Sequence, residues 1–350
     1  METVVQTRSA YLSHDEHPVA LEQAVRDIRD RIHAEGDQPG ATVARQLRVV
    51  DDLLRFGLGR YLLVHQGYNG YWTRYIAGLQ PGCGLAAGVN DEGNPLSDLE
   101  QWILQHSPGA YIVRERMRTA QAILQPLLRD GVVFASLPCG AMDDLLGLRP
   151  FAPKGSGGIE TFRGAHGVAS KRGAASGDSE TFREDAYPNA RLVGIDVDPD
   201  ALRLAEQNAR ERGLARYTEF VQADAWHLGI TDRFDAMVCH GLLSYVRDLQ
   251  RVRELYARFH RALKPGGILI TCFVPPSPTE NPNSPWNVAR IGQENLQRYD
   301  LVYRHVLRPK WGGNHRTQQQ VTGVLRGAGF AKVQLRPDDW GLCITAVATK

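Results

Sequence analysis

The stretch "ARLVGIDVDPDALRLAEQNARERGL" (190–214) decides the fold class of this 350-residue chain. An apolar run ends in Asp196 and passes at once into a well-marked helix. Asp198 suits the N-cap, Pro199 the first helical position and Gly213 the end. A strand that hands over to a helix in this way belongs to an α/β unit. An acidic residue at the end of such a strand can accept hydrogen bonds from two adjacent hydroxyls of a ribose, and it repels a ribose phosphate.

Outward from this unit, the same rhythm continues. "GVVFASL" (131–137), "YTEFVQAD" (217–224), "FDAMVCHGLL" (234–243) and "GGILITCFV" (266–274) are apolar runs, separated mostly by helical patterns. That alternation predicts a mainly parallel sheet. "FAKVQLRP" (330–337) and "LCITAVATK" (342–350) are joined only by "DDWG", too short for a crossover helix, so these two strands should be antiparallel. Before residue 130 the patterns are helical: Leu21, Val25, Ile28 and Ile32 recur at helical spacing, as do Val43, Leu47, Val50 and Leu54. "SDLEQWIL" opens with Ser97 and Glu100 in capping-box spacing, and "AYIVRERMRTAQAILQPLL" predicts a long amphipathic helix ending near Leu128. The organisation expected is a helical cap over 1–129 and an α/β domain over 130–350. A Gly/Ser-rich insertion at about 150–188 repeats its tetrapeptide Glu160–Arg163 at Glu180–Arg183.

The loop after the first strand of the sheet reads "FASLPCGAMDDLL" (134–146). A nicotinamide dinucleotide needs a glycine-rich loop there, so that pyrophosphate can approach the backbone amides. Pro138 deletes one such amide and Met142 fills space, so the loop suits a nucleoside without phosphates. In "QADAW" (222–226), Asp224 can accept a hydrogen bond from an adenine amino group, with Trp226 beside the ring.

Six motifs in order then carry a resemblance. The loop at 136–142, "VGIDVD", "ADAW", "FDAMVCHGLLSYV", "RALKPGGILI" and "LRGAGFAKVQL" resemble the class I S-adenosylmethionine-dependent methyltransferases over roughly residues 130–350. "HQGYNGYWTRY" (65–75), with "SLPCG" and "DAW", is further similar to a group of bacterial methyltransferase-like proteins over most of the chain. The resemblance implies a Rossmann-like sheet of seven strands with a terminal antiparallel hairpin, an N-terminal helical cap, and S-adenosyl-L-methionine as cofactor. It assigns cofactor contacts to Ser136, Pro138, Cys139, Gly140, Asp196, Val197, Asp224, Ala225, Trp226, Cys239 and His240. The first loop departs from the family pattern of an acid followed by Gly-x-Gly-x-Gly. Ser136 stands in place of the acid and only Gly140 remains of the glycines, with Asp143 or Asp144 available to compensate.

Residues after the fourth strand face the reacting centre in this fold, which makes His240 and Tyr245 catalytic candidates, with Tyr71; a histidine is the residue type suited to a general base near neutral pH. Tyr68, Asn69, Tyr71, Trp72, Arg74 and Tyr75 are expected as a tyrosine-rich turn covering the sulfonium, too rich in glycine for a good helix. Ser244, Trp286 and Trp311 are candidates for the acceptor pocket. Each aromatic also has a plain reading as core packing.

Composition limits the partners. The 41 basic and 39 acidic residues nearly cancel, so no field draws the chain to nucleic acid, and "RERMR" (114–118) reads as a solvated helix face. No apolar run is long enough for a bilayer, and the N-terminus lacks a secretory pattern. Five scattered cysteines form no C-x-x-C pair, so no metal is expected and a reducing cytoplasm fits. The expected partner is a small molecule, with a homodimer left open. Three functions compete: methyl transfer to a small, secondary-metabolite type of acceptor, cyclisation of the cofactor to azetidine-2-carboxylate and methylthioadenosine, and non-catalytic cofactor binding.

Overall fold

The computed structural model describes residues 19–149 and 187–350, so nearly all of the expected insertion, including both copies of its repeat, lies outside the described residues. The N-terminal part is helical: α1 (Leu21–Glu35), α2 (Val43–Leu53), α3 (Gly57–His65), α4 (Gly70–Ala77), α5 (Asp98–Gln105) and α6 (Pro108–Leu124). Local chemistry starts several of them. Thr42, Ser97 and Ser107 each accept a backbone N–H at a helix start, and Pro108 occupies the first turn of α6. At α5 only half of the expected capping box forms, because the Glu100 carboxylate turns inward and accepts from the Tyr75 hydroxyl at 2.8 Å.

The expected turn at 65–75 is instead the start of α4. Asn69 caps it, accepting from the Trp72 amide at 3.0 Å, and Trp72, Tyr75, Ile76 and Ala77 bury their side of it. Packing of that apolar side outweighs the low propensity of Gly70 and the aromatics.

The sheet has seven strands in the order β3-β2-β1-β4-β5-β7-β6. These are β1 (Val133–Ser136), β2 (Arg191–Asp196), β3 (Thr218–Gln222), β4 (Phe234–Cys239), β5 (Leu263–Phe273), β6 (Lys332–Arg336) and β7 (Ile344–Thr349). The first five pair in parallel, while β7 runs antiparallel to both β5 and β6, as the short "DDWG" link requires. After β1 and β2 come α7 (Asp143–Leu146) and α8 (Pro199–Glu211); α9 (Leu249–Ala262) leads to β5. Between β5 and β6 lie α10 (Val288–Ile291), α11 (Gln293–Tyr299), a π-helical segment Asp300–Leu307 and α12 (Gln318–Gly327).

Side chains of α6, α7 and α8 share a core with one face of the sheet, and those of α9 and α12 with the other. A third core lies within the helical part, and it is not built from the N-terminal helices alone. Leu301, Val302, Tyr303, Val306 and Leu307 of the π-helical segment sit inside it with Ile32, Val50, Leu53 and Leu62. Arg31 fastens the junction, donating to the carbonyls of His305 and Val306 at 2.9 and 2.5 Å.

Candidate functional site

A cavity of about 220 Å³ opens at the carboxyl ends of β1, β2 and β4, where α4 and α6 meet the sheet. A single water needs only ~10–15 Å³ on this measure, so the space is of ligand size. Its floor is the loop after β1. The loop turns through a cis Leu137–Pro138 peptide, and the Cys139 amide donates to the Ile195 carbonyl at 3.0 Å, tying it to β2. Gly140 and Met142 both have positive φ, 50° and 60°. Met142 thus holds a backbone shape usually given to glycine. Its sulfur lies 3.0 Å from where a Cβ on Gly194 would be, so Gly194 makes room for the bulk that Met142 adds.

Asp196, at the end of β2, is buried and aligned by two amides: Gly140 N donates to Oδ2 and Asp198 N to Oδ1, each at 3.1 Å. Burial raises its carboxyl above the ordinary range, against the opposing pull of the two amides. Asp198 caps α8 as expected. The roof is closed by contact of backbone on backbone. A Cβ on Gly70 would stand 3.0 Å from Gly140 Cα, so the start of α4 rests directly on the loop.

The two aspartates after the loop differ. Asp143 accepts from Arg212 at 2.7 Å and from Asn208 at 3.1 Å, with Arg74 at 3.4 Å. Asp144 accepts from the Ser136 hydroxyl at 2.7 Å and from the Leu145 amide at 3.0 Å. Burial raises the carboxyl pKa of both. His240, just past β4, also lines the cavity, and both its ring nitrogens are buried without a hydrogen-bond partner.

Away from the loop the cavity becomes aromatic. Tyr68 stacks on Trp311 at 4.8 Å, Tyr299 stacks on Tyr303 at 5.0 Å, and Tyr245 meets Trp311 edge-on at 6.4 Å. The Tyr68 and Tyr303 hydroxyls are 3.0 Å apart. Burial raises the pKa of all three of Tyr68, Tyr299 and Tyr303, that of Tyr303 to about 12, so these walls stay uncharged.

Of the residues singled out from the sequence, the lining brings together Ser136, Pro138, Cys139, Gly140, Asp196, His240, Tyr68, Asn69, Arg74, Ser244, Tyr245 and Trp311. The others stand elsewhere. The turn of α4 splits its aromatic stretch: Asn69, Gly70, Thr73 and Arg74 face the cavity, while Trp72 and Tyr75 point into the helical core, with Tyr71 packed edge-on to Trp72 at 4.9 Å. Arg74, expected in the covering turn, lines the cavity but is held by Asp143 and by Asn208 at 2.8 Å.

Strand alternation sends Cys239, 1% exposed, into the sheet core, and sends the next residue, His240, to the cavity. Asp224 accepts from the Trp226 amide at 2.9 Å and pairs with His227 at 2.8 Å. Trp226 lies under the Arg251 guanidinium at 4.8 Å. With Ala225 and Val197, which is 43% exposed, these residues are outside the lining. The Trp286 indole donates to the Pro275 carbonyl at 3.1 Å, behind His315.

Sequence reasoning missed Arg116 and Met117 of α6 and Tyr299 and Tyr303, all of which line the cavity. "RERMR" is not a uniformly solvated face. Arg118 is exposed, but Arg114 donates to the carbonyls of Ile76 and Leu104, and burial lowers its pKa to about 10. The i, i+4 spacing of Tyr299 and Tyr303 was the available signal for an aromatic wall. Among the described residues, no three His, Cys, Asp or Glu side chains are grouped to hold a metal, and no helix is long and apolar enough to cross a membrane.

Comparison with known proteins gives four likenesses. Residues 173–271 match the model of a family described as a methyltransferase domain. A possible exported protein from Bordetella parapertussis, of known structure, is 35% identical with a TM-score of 0.76, covering 94% of this chain and 95% of its own. The demethylmenaquinone methyltransferase of Thermus thermophilus is 34% identical over 29% of this chain and 45% of its own length. The methyltransferase phqN of Penicillium fellutanum is 26% identical over 42% of this chain and 35% of its own. The chain spans less than half the length of these last two relatives.

Proposed function

We propose that the chain is a class I S-adenosylmethionine-dependent methyltransferase, in keeping with the methyltransferase-domain match over residues 173–271, and that it methylates a small planar organic molecule held between Tyr68, Tyr245, Tyr299, Tyr303 and Trp311. The observation that carries this reading is the continuity of the cavity, which runs from Asp196 and the Gly140 loop to these rings. A cyclase or a non-catalytic binder needs no acceptor pocket beside the cofactor.

The residues of the inner end fit the cofactor. Asp143, Asp144, Asp196 and Asp198 all line it, and Pro138 offers no amide, a setting hostile to pyrophosphate and suited to a cationic nucleoside. When bound, S-adenosylmethionine supplies an electrophilic methyl group on its sulfonium. Asp196, already oriented by two amides, accepts hydrogen bonds from the ribose hydroxyls. The neutral aromatic walls exclude water and orient a flat ring by stacking. A ring nitrogen of His240, which lines the cavity, takes the proton that the acceptor loses. The Thermus relative is named for demethylmenaquinone, a quinone, which agrees with an acceptor of this shape.

The test is mass spectrometry of the protein incubated with S-adenosylmethionine, first alone and then with a panel of phenols, naphthols and quinols. S-adenosylhomocysteine formed only when a ring acceptor is present supports the reading. Methylthioadenosine formed with no acceptor overturns it in favour of cyclisation.

A further inference from the structure

The charges lining the inner end of the cavity are not all balanced within the protein. Asp143 has two arginines, and Asp196 has two backbone amides. Asp144 has neither. It is 6% exposed and accepts only from a neutral hydroxyl, that of Ser136, and one amide; among the described residues no arginine or lysine reaches it. His240 is the basic group that bears on it electrostatically, yet neither ring nitrogen donates to it.

A matching imbalance of opposite sign lies on α6. Arg116 lines the same cavity, its Nε is buried without a hydrogen-bond partner, and it forms no ion pair with any described residue. Nor do Arg116 and Asp144 pair with each other. A buried carboxylate without a cation and a guanidinium without an anion are each costly alone. Both costs vanish together when a zwitterion enters between them.

We propose that Asp144 and Arg116 form a clamp for the α-amino-acid end of the cofactor, Asp144 taking the ammonium and Arg116 the carboxylate. This rests on the cofactor reading above and assigns that end to residues outside the usual pattern. The side chain at the end of β1 is Ser136, too short to reach out as an acid would. It contributes instead by donating its hydroxyl proton to Asp144 Oδ2, which holds the carboxylate in place. Guanidinium and carboxylate geometries match in two parallel hydrogen bonds, which suits Arg116 to the other half.

Calorimetric binding of three nucleosides tests the clamp without any turnover: S-adenosylhomocysteine, 5′-methylthioadenosine, which lacks the amino-acid end, and decarboxylated S-adenosylmethionine, which lacks only the carboxylate. The unaltered protein should favour S-adenosylhomocysteine over methylthioadenosine. Asp144→Asn should lower S-adenosylhomocysteine affinity about tenfold or more and leave methylthioadenosine unchanged, which also shows that the variant is folded. Arg116→Gln should do the same, with the decarboxylated nucleoside unaffected. Equal affinity of the unaltered protein for S-adenosylhomocysteine and methylthioadenosine overturns the clamp but leaves the cofactor reading standing. Variants that weaken all three nucleosides in parallel overturn it too. If none of the nucleosides binds the unaltered protein, the cofactor reading falls and the clamp with it.

Discussion

Asp196 and Glu100 show how burial sets two different tasks for a carboxylate. Asp196 is aligned before any ligand arrives, so its removal acts on the nucleoside end alone. Asp196→Ala should weaken both S-adenosylhomocysteine and methylthioadenosine by about tenfold to a hundredfold, unlike Asp144→Asn, which separates them. Unaltered methylthioadenosine affinity would remove Asp196 from the site. Glu100 is structural: it is fully buried against Tyr75, and burial raises its pKa from an ordinary 4.5 to about 7. The folded state therefore holds this proton more tightly than the unfolded chain. Its contribution to stability is complete below pH 4.5 and is lost as pH rises to about 7, a change of roughly 3 kcal/mol. Thermal unfolding between pH 5 and 8 should show the decline, and Glu100→Gln should flatten it; an equal slope in the variant would refute the assignment. Asp196 was legible because its role follows from local order, a strand end before a capped helix. Arg116 was not, because a charge run on a helix looks the same whether solvent or a cavity lies beyond it.

At the scale of elements, the contact between the start of α4 and the loop after β1 is the narrowest fit in the site. Gly70→Ala places a methyl group 3.0 Å from Gly140 Cα, a backbone atom with no rotamer to give. The variant should lose about 1–3 kcal/mol of stability and bind methylthioadenosine more weakly, since the loop shifts with the helix. A variant of normal melting temperature and affinity would mean that α4 adjusts freely. The sequence made the terminal hairpin plain through a four-residue link, and the α/β units through their spacing. It hid α4, whose Gly70 and aromatic residues argue locally against a helix. Only the apolar core on its far side makes the helix stable, and that core comes from distant segments.

Across the whole molecule, a boundary near residue 129 suits the chain order better than the packing. Leu301–Leu307 belongs in sequence to the β5–β6 connection and in space to the helical core. The helical layer and the sheet should therefore unfold together. Calorimetry should show a single transition, and Leu307→Ala should move all of it down by about 2–5 kcal/mol. Two resolved transitions, with only one shifted by the variant, would show that the layers are independent. Tyr299, Tyr303 and Trp311 flank or belong to that same connection, and they pack on the helical core, whereas Asp196 and the Gly140 loop are rooted in the sheet. The two ends of the cavity thus rest on different foundations that touch at Gly70. Drift in the helical core away from that contact can exchange one ring wall for another, while the sheet-rooted grip around Asp196 is inherited intact.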